Sequence, residues 1–155
     1  MITISHTLAV NDPVGSGLSW HQLWLGLLRK ASDPVPFIPA IMRCTVLERY
    51  PRGLLREIVV RDRGPLREQV DFEPEKRIVF HQLDDPDLST IVNEILSGEP
   101  GGLALNLAIT LSPHGIEQAT QEPGFLKGLD DYFLGTLHAI ISALRGLSGR
   151  SVSHC

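Results

Sequence analysis

The chain predicts an α+β domain in which a seven-stranded antiparallel sheet curves around one long C-terminal helix, with two short helices between the first and second strands. Three observations carry this. Residues 1 to 10 alternate Ile2, Ile4, His6, Leu8 and Val10 against Thr3, Ser5, Thr7 and Ala9, the period of a strand. Residues 41 to 111 break into short extended segments separated by turn chemistry. Residues Pro123 to Leu147 carry apolar side chains at helical spacing over a length of about 37 Å, enough to cover the apolar face of such a sheet.

Taken in order, the first strand ends in the turn-rich Asn11-Asp12-Pro13-Val14-Gly15-Ser16-Gly17. Ser19 is placed to cap a helix in which Trp20, Leu23, Trp24, Leu27 and Leu28 follow the i, i+3, i+4, i+7, i+8 rule. Ser32-Asp33-Pro34 offers a second helix start, and Pro39 limits it to a short helix or turn. Extended segments follow at 41–50, 54–62, 65–73, 77–83, 88–97 and 103–111, an antiparallel meander. A three-residue loop over Pro74-Glu75-Lys76 sets Phe72 opposite Ile78, Val70 opposite Phe80 and Glu68 opposite Gln82. A two-residue loop would instead set Glu68 opposite His81.

On the last helix, Phe125, Leu129, Tyr132, Phe133, Thr136, Leu137, Ile140, Ala143, Leu144 and Leu147 form one broad apolar stripe. Beside it Gly124, Gly128, Gly135, Ala139, Ser142 and Gly146 form a second, small-residue edge, although each helical glycine costs about 1 kcal/mol relative to alanine. Either a neighbour packs closely there or the helix borders a cavity whose ligand needs room.

With 155 residues, 43% hydrophobic and 21% charged, the chain suits one domain over 1–155 with a substantial core. No run is apolar enough for a transmembrane helix, and the N-terminus lacks a basic segment followed by an apolar core, which points to a cytoplasmic protein. The net charge is −4, and the arginines from Arg43 to Arg67 alternate with Glu48, Glu57, Asp62 and Glu68 rather than forming a basic stripe, which disfavours nucleic acid. Cys44 and Cys155 provide neither a disulfide framework nor metal spacing.

The element order matches the helix-grip architecture, and the match extends to sequence. Trp24-Leu25-Gly26-Leu27-Leu28-Arg29-Lys30-Ala31, Asp33-Pro34, Phe37-Ile38-Pro39-Ala40-Ile41 and Cys44-Thr45-Val46-Leu47-Glu48 resemble the opening of the AtaL-like branch of the START and birch-pollen-allergen-like (SRPBCC) superfamily. Val70, Pro74, Arg77-Ile78-Val79-Phe80 and Ile91-Val92-Asn93-Glu94-Ile95 continue the resemblance over nearly the whole chain. It implies a deep, mostly apolar cavity between sheet and C-terminal helix, holding a lipid-, sterol- or polyketide-like molecule. The expected lining draws on Phe37 from the connector, Glu68, Val70, Phe80 and Gln82 from the strands, and Leu129, Tyr132, Phe133 and Thr136 from the last helix.

The motifs of familiar enzymes are missing from the sequence. The six histidines form no HExxH and no i, i+4 pair, the serines lack a GxSxG elbow, and the glycine-rich 98–102 segment opens no helix, so neither a metal nor a cofactor is expected. Cys44 reads as a small buried hydrophobe. Among lone groups, Glu68 is the candidate acid or base if it shares the inner face with Val70 and Phe72, unless Arg56 or Arg67 pairs with it at a rim or the strand turns it to water. Asn93 and Asn106 are expected opposite one another across 98–102, more naturally facing outward. Tyr132 is the polar handle on the helix, its hydroxyl leaning to the glycine edge. The expected function is therefore binding of a hydrophobic molecule without a specified reaction, with cyclase- or dehydratase-type chemistry as the alternative. A third class is a protein-interaction module, for which Leu134 and Ile141 would supply an exposed patch; the same patch could form a homodimer interface.

Overall fold

Alternating side chains give seven strands: β1 (Thr3–Ala9), β2 (Ile41–Tyr50), β3 (Gly53–Val60), β4 (Gly64–Glu73), β5 (Arg77–Gln82), β6 (Leu88–Ser97) and β7 (Leu103–Leu111). Three helices accompany them: α1 (Trp20–Ser32), α2 (Pro113–Gln121) and α3 (Phe125–Ser153). The structure is a computed structural model and describes residues 1–11, 17–97 and 102–153, with side chains of the last helix described to Leu147. All pairings are antiparallel, in the spatial order β1-β7-β6-β5-β4-β3-β2. The chain thus returns its first strand beside its last, and β1 and β2 form the edges.

The inner face of the curved sheet meets α1 and α3. Leu23, Trp24, Leu27 and Ala31 of α1 join Phe133, Leu137, Ile140, Ile141 and Leu144 of α3 and the inward residues of β3 to β7 in one apolar cluster. Removing these side chains from water is the main stabilising contribution, roughly 25 cal/mol per Å² of apolar surface. Ser19 caps α1 in a capping box with Gln22, as its position suggested. Gly26 of α1 lies where the helix crosses α3, and a side chain there would strike Leu144 Cδ2. The C-terminal half of α3 is tied to the residue that follows β1, where Arg145 Nε donates to the Val10 carbonyl at 2.7 Å. Among the described residues, no helix is long and apolar enough to cross a membrane.

The β4–β5 hairpin takes the three-residue loop, with Glu68 opposite Gln82, Val70 opposite Phe80 and Phe72 opposite Ile78. Glu75 adopts φ 62° in that loop, and Lys76 N donates to the Glu73 carbonyl.

Several expectations need correction. The second helix of the connector is a turn, held by Phe37 N and Ile38 N on the Pro34 carbonyl, because the closely spaced prolines leave no room for helical propagation. The last helix begins at Phe125, after Gly124 at φ 87°, and runs to Ser153. The glycine edge is neither a close contact nor a cavity wall: a Cβ at Gly128, Gly135 or Gly146 would meet nothing within 4 Å. Ile141 is 4% exposed, so it cannot offer a docking patch with Leu134. The turn expected over 98–102 and the loop expected over 11–17 lie largely outside the described residues, as do His154 and Cys155.

Candidate functional site

Between the sheet and α3 the core does not close. A cavity of about 450 Å³ remains, walled by Ile58, Leu66, Phe80, Leu88, Ile91 and Leu107 from the strands and by Leu129, Phe133 and Ile140 from α3. Its mouth lies between α3, the β3–β4 turn with Arg61, Asp62 and Arg63, and the β5–β6 loop with Asp85 and Asp87. Arg63 Nη1 pairs with Asp85 Oδ2 at 3.0 Å and joins the two loops, while Asp85 Oδ1 accepts from the amides of Asp87 and Leu88. Beside the mouth, Arg67 grips Asp84 through its guanidinium and its own amide, and this holds the Asp84 carboxyl down at about 2.

The inner end is polar and almost completely withdrawn from water: Lys30, Arg56, Glu68 and Asn93 are each at most 2% exposed. The arrangement follows from how α1 ends. The last carbonyls of a helix have no partner within it, and Arg56 Nη1 donates to the carbonyls of Ala31 at 2.8 Å and Lys30 at 3.3 Å. Its charge also suits the negative helix end. The rest of the guanidinium meets Glu68 Oε1, from Nε at 2.8 Å and from Nη2 at 2.7 Å. Glu68 Oε2 accepts from Gln82 Nε2 at 2.6 Å, and the same nitrogen donates to the Phe80 carbonyl at 3.1 Å. The helix end, β3, β4 and β5 are thus bonded into one unit.

That unit places Lys30 Nζ in the cavity wall. It donates to Asn93 Oδ1 at 2.8 Å and lies 4.5 Å from the centre of the Phe80 ring. The same ring faces the Arg56 guanidinium at 4.8 Å. Among the described residues Nζ has no ion-pair partner, and the Glu68 carboxylate is oriented to Arg56 and Gln82 instead. Burial, reinforced by the Arg56 charge and opposed by Glu68, pulls the Lys30 ammonium down to about 7.

Of the residues expected to line the cavity, Glu68, Phe80, Gln82, Leu129, Tyr132, Phe133 and Thr136 do so. Phe37 and Val70 do not: both are buried in the continuous core, 2% and 0% exposed, and neither borders the open space. Glu68 is buried and paired with Arg56, not at a rim, and its engaged oxygens make it an anchor rather than a free acid or base. Tyr132 lies at the mouth, half-exposed and edge-on to Phe133, with ring centres 5.0 Å apart. The asparagine pairing is off by one residue. Asn93 faces Leu107 and points inward to Lys30, whereas Asn106 faces Glu94 and binds Thr7 on the outer side.

Lys30 is the residue the sequence reading passed over. Its signal is its position: seven residues after Leu23 and three after Leu27, it continues the buried stripe of α1. Asn93 carried a similar signal, sharing strand parity with Ile91 and Ile95. Cys44 is half-buried on β2, packs beside Ile41, Ile58 and Leu66, and has its thiol pushed up by burial. His6, His21, His81 and His114 each contact a single carboxylate, of Asp130, Glu75, Asp71 and Asp87 respectively. Among the described residues no group of three or more His, Cys, Asp or Glu is placed to hold a metal ion.

A sequence model of the family described as AtaL, acetylaranotin biosynthesis cluster protein L, matches residues 4–147. No curated protein sequence matches the chain. Solved structures that share the fold include the di-domain ARO/CYC StfQ from the steffimycin biosynthetic pathway, with TM-score 0.69 and 15% identity over 97% of this chain and 51% of that one. The chain thus spans about half the length of StfQ. It is also similar to the Zhui aromatase/cyclase from Streptomyces sp. R1128, with TM-score 0.65 and 18% identity over 97% and 95% of the two chains. A START superfamily protein from Mycobacterium smegmatis superposes with TM-score 0.58 and 15% identity over 96% and 97%. At such identities the likeness is one of fold.

Proposed function

The chain belongs to the AtaL family, and from that premise we propose that it binds a small, largely apolar molecule in the cavity between sheet and α3, with a polar oxygen of that molecule beside Lys30 and Asn93. The observation that carries the reading is the cavity's division: an apolar body of about 450 Å³ and, at its inner end, a single cluster of buried polar groups. Small-molecule sites combine these two features, the first giving affinity and the second orientation. The ligand class that suits such a space is polyketide- or lipid-like, and the aromatase/cyclases among the structural neighbours favour the polyketide-like side.

A ligand must pass Tyr132 and the loops joined by Arg63 and Asp85, then lie along Leu129, Phe133 and Ile91. Binding is tested by titrating the protein with 2-naphthalenemethanol, an uncharged aromatic alcohol, while following amide NMR shifts. The expected result is a saturable set of shifts centred on Ile91, Leu129, Phe133 and Thr136, with Leu47 on the outside of β2 unmoved. No saturable shifts, or shifts confined to the outer face, would contradict the reading.

Carriage and chemistry on the bound molecule are alternatives at the same site. Chemistry, of the cyclase or dehydratase kind, is favoured by one observation: an ionisable amine is buried in the wall, with Asn93 as its one hydrogen-bond partner among the described residues.

A further inference from the structure

Lys30 has the surroundings of a nucleophile rather than of a structural cation. A structural buried lysine is held by a carboxylate, because an uncompensated ammonium in an apolar site is costly. Here the Glu68 carboxylate is bonded to Arg56 through Oε1 and to Gln82 through Oε2, and among the described residues the ammonium donates to one neutral acceptor, Asn93 Oδ1. A second cation, Arg56, shares its aromatic neighbour Phe80. The amine also opens onto ligand space, since Lys30, Phe80 and Asn93 all line the cavity.

Three interactions favour the charged form: the Glu68 carboxylate, the Phe80 ring face and the end of α1 that carries Lys30. Desolvation and Arg56 outweigh them, so a large share of the side chain is neutral near pH 7. Desolvation and an adjacent cation are the two devices that give a lysine a free lone pair at neutral pH. Asn93 accepts one N–H, which leaves the two other tetrahedral positions on Nζ to the lone pair and the second N–H.

We propose that Lys30 captures carbonyl compounds, its Nζ adding to the aldehyde or ketone carbon of a molecule held in the cavity to form an imine. The step rests on the cavity being a ligand site, as argued above. The nitrogen lone pair forms the new C–N bond while the carbonyl π pair moves to oxygen, and one nitrogen proton transfers to that oxygen to give a carbinolamine. The hydroxyl then leaves with the second nitrogen proton as one molecule of water, and the C=N bond forms. No electrons are gained or lost overall, and no metal or cofactor is required. The ligand class is accordingly an apolar molecule with an unhindered carbonyl at one end, as in polyketide-like chains.

The test is reductive trapping of the full chain with 2-naphthaldehyde and sodium cyanoborohydride at pH 7, followed by peptide mapping. The chain contains only three lysines, Lys30, Lys76 and Lys127, so each site is read separately from the N-terminus. Labelling of Lys30 is expected to saturate with aldehyde, to be suppressed by 2-naphthalenemethanol, and to exceed that of Lys76 and Lys127 about tenfold or more. Its rate should rise through about pH 7, whereas surface lysines stay protonated to about pH 10. The charged groups facing this region are Arg56 and Glu68 at the inner end and Arg61, Asp62, Arg63, Asp85 and Asp87 at the mouth, none of which can itself be trapped by the aldehyde.

Saturable binding of the alcohol together with labelling only at Lys76, Lys127 or the N-terminus would overturn the nucleophile while leaving the cavity reading intact. Absence of both alcohol binding and selective Lys30 labelling would overturn the two together. Lys30→Met, with its fold confirmed by far-UV circular dichroism, should lose the cavity adduct; persistence of a saturable, alcohol-suppressed adduct in that variant would also overturn the assignment.

Discussion

At the scale of single residues, the chemistry of this protein depends on how one helix end is satisfied. Arg56 serves the carbonyls of Lys30 and Ala31 and is neutralised by Glu68, so removing either charge would strand the other in an apolar interior. Lys30 is carried along by that anchoring and bears a cost of burial that depends on pH. Its folded-state pKa, about 7, lies below the 10.5 of the free side chain, so between these values the unfolded chain binds the extra proton. The penalty is therefore full below about pH 7 and is relieved as pH rises toward 10.5. Lys30→Met should be the more stable protein at pH 6, and the gap should narrow with a slope of at most about 1.4 kcal/mol per pH unit between 7 and 10. Denaturant unfolding at several pH values reads this directly, and parallel curves for the two proteins would contradict it. The anchoring pair was only partly legible in sequence: Glu68 and its partner Arg56 were both in view, but their depth depends on α1 ending above β3. Lys30 stood on the buried face of α1 all along, yet a lysine there could equally have extended its head to water.

At the scale of elements, the periodicities of the sequence translated almost directly into strands and helices. The β4–β5 register followed from loop length, because shifting it by one residue would turn Val70, Phe72, Ile78 and Phe80 out of the core. The β6–β7 register could not be read the same way, since counting outward from the middle of 98–102 sets Asn93 opposite Asn106, one residue away from the pairing of Asn93 with Leu107 and Glu94 with Asn106. α2 was missed although Ser112-Pro113 is a sound helix start, because Gly115 is its only buried residue and its apolar stripe is short. The glycines illustrate the limit most clearly. A glycine pattern records where side chains are absent, without saying whether a neighbour or solvent fills the space. Gly135 faces open space on a helix, so Gly135→Ala should stabilise by about 1 kcal/mol and raise Tm by roughly 2–4 °C. Gly115→Ala should instead destabilise by about 1–3 kcal/mol, because its Cβ would overlap the Asp87 backbone carbonyl. Thermal unfolding of the two variants checks both signs, and a destabilised Gly135→Ala would mean that the edge is packed after all.

At the scale of the whole molecule, the fold is a sheet curved around a helix that fills only part of the concavity. α3 closes one end of the space with Leu137, Leu144 and Ile141, where α1 crosses it, and leaves the other end open beneath Leu129 and Tyr132. The polar inner end is buried, with Lys30 2% exposed, so any molecule that meets Lys30 is largely withdrawn from water. This architecture could be read from the element order, and the seven cavity residues foreseen from the sequence lie where strand parity and the helical stripe put them. Phe37 and Val70 fell outside because facing inward does not distinguish residues that border the open volume from those buried behind it. The most direct measurement of the central claim is a titration of wild-type protein and Ile91→Trp with 2-naphthalenemethanol, with far-UV circular dichroism confirming that the variant is folded. The indole would occupy the cavity beside Phe80 and Leu107, so affinity should fall about tenfold or more, a loss of at least about 1.4 kcal/mol. Equal affinity in the folded variant would place the bound molecule elsewhere and contradict the account.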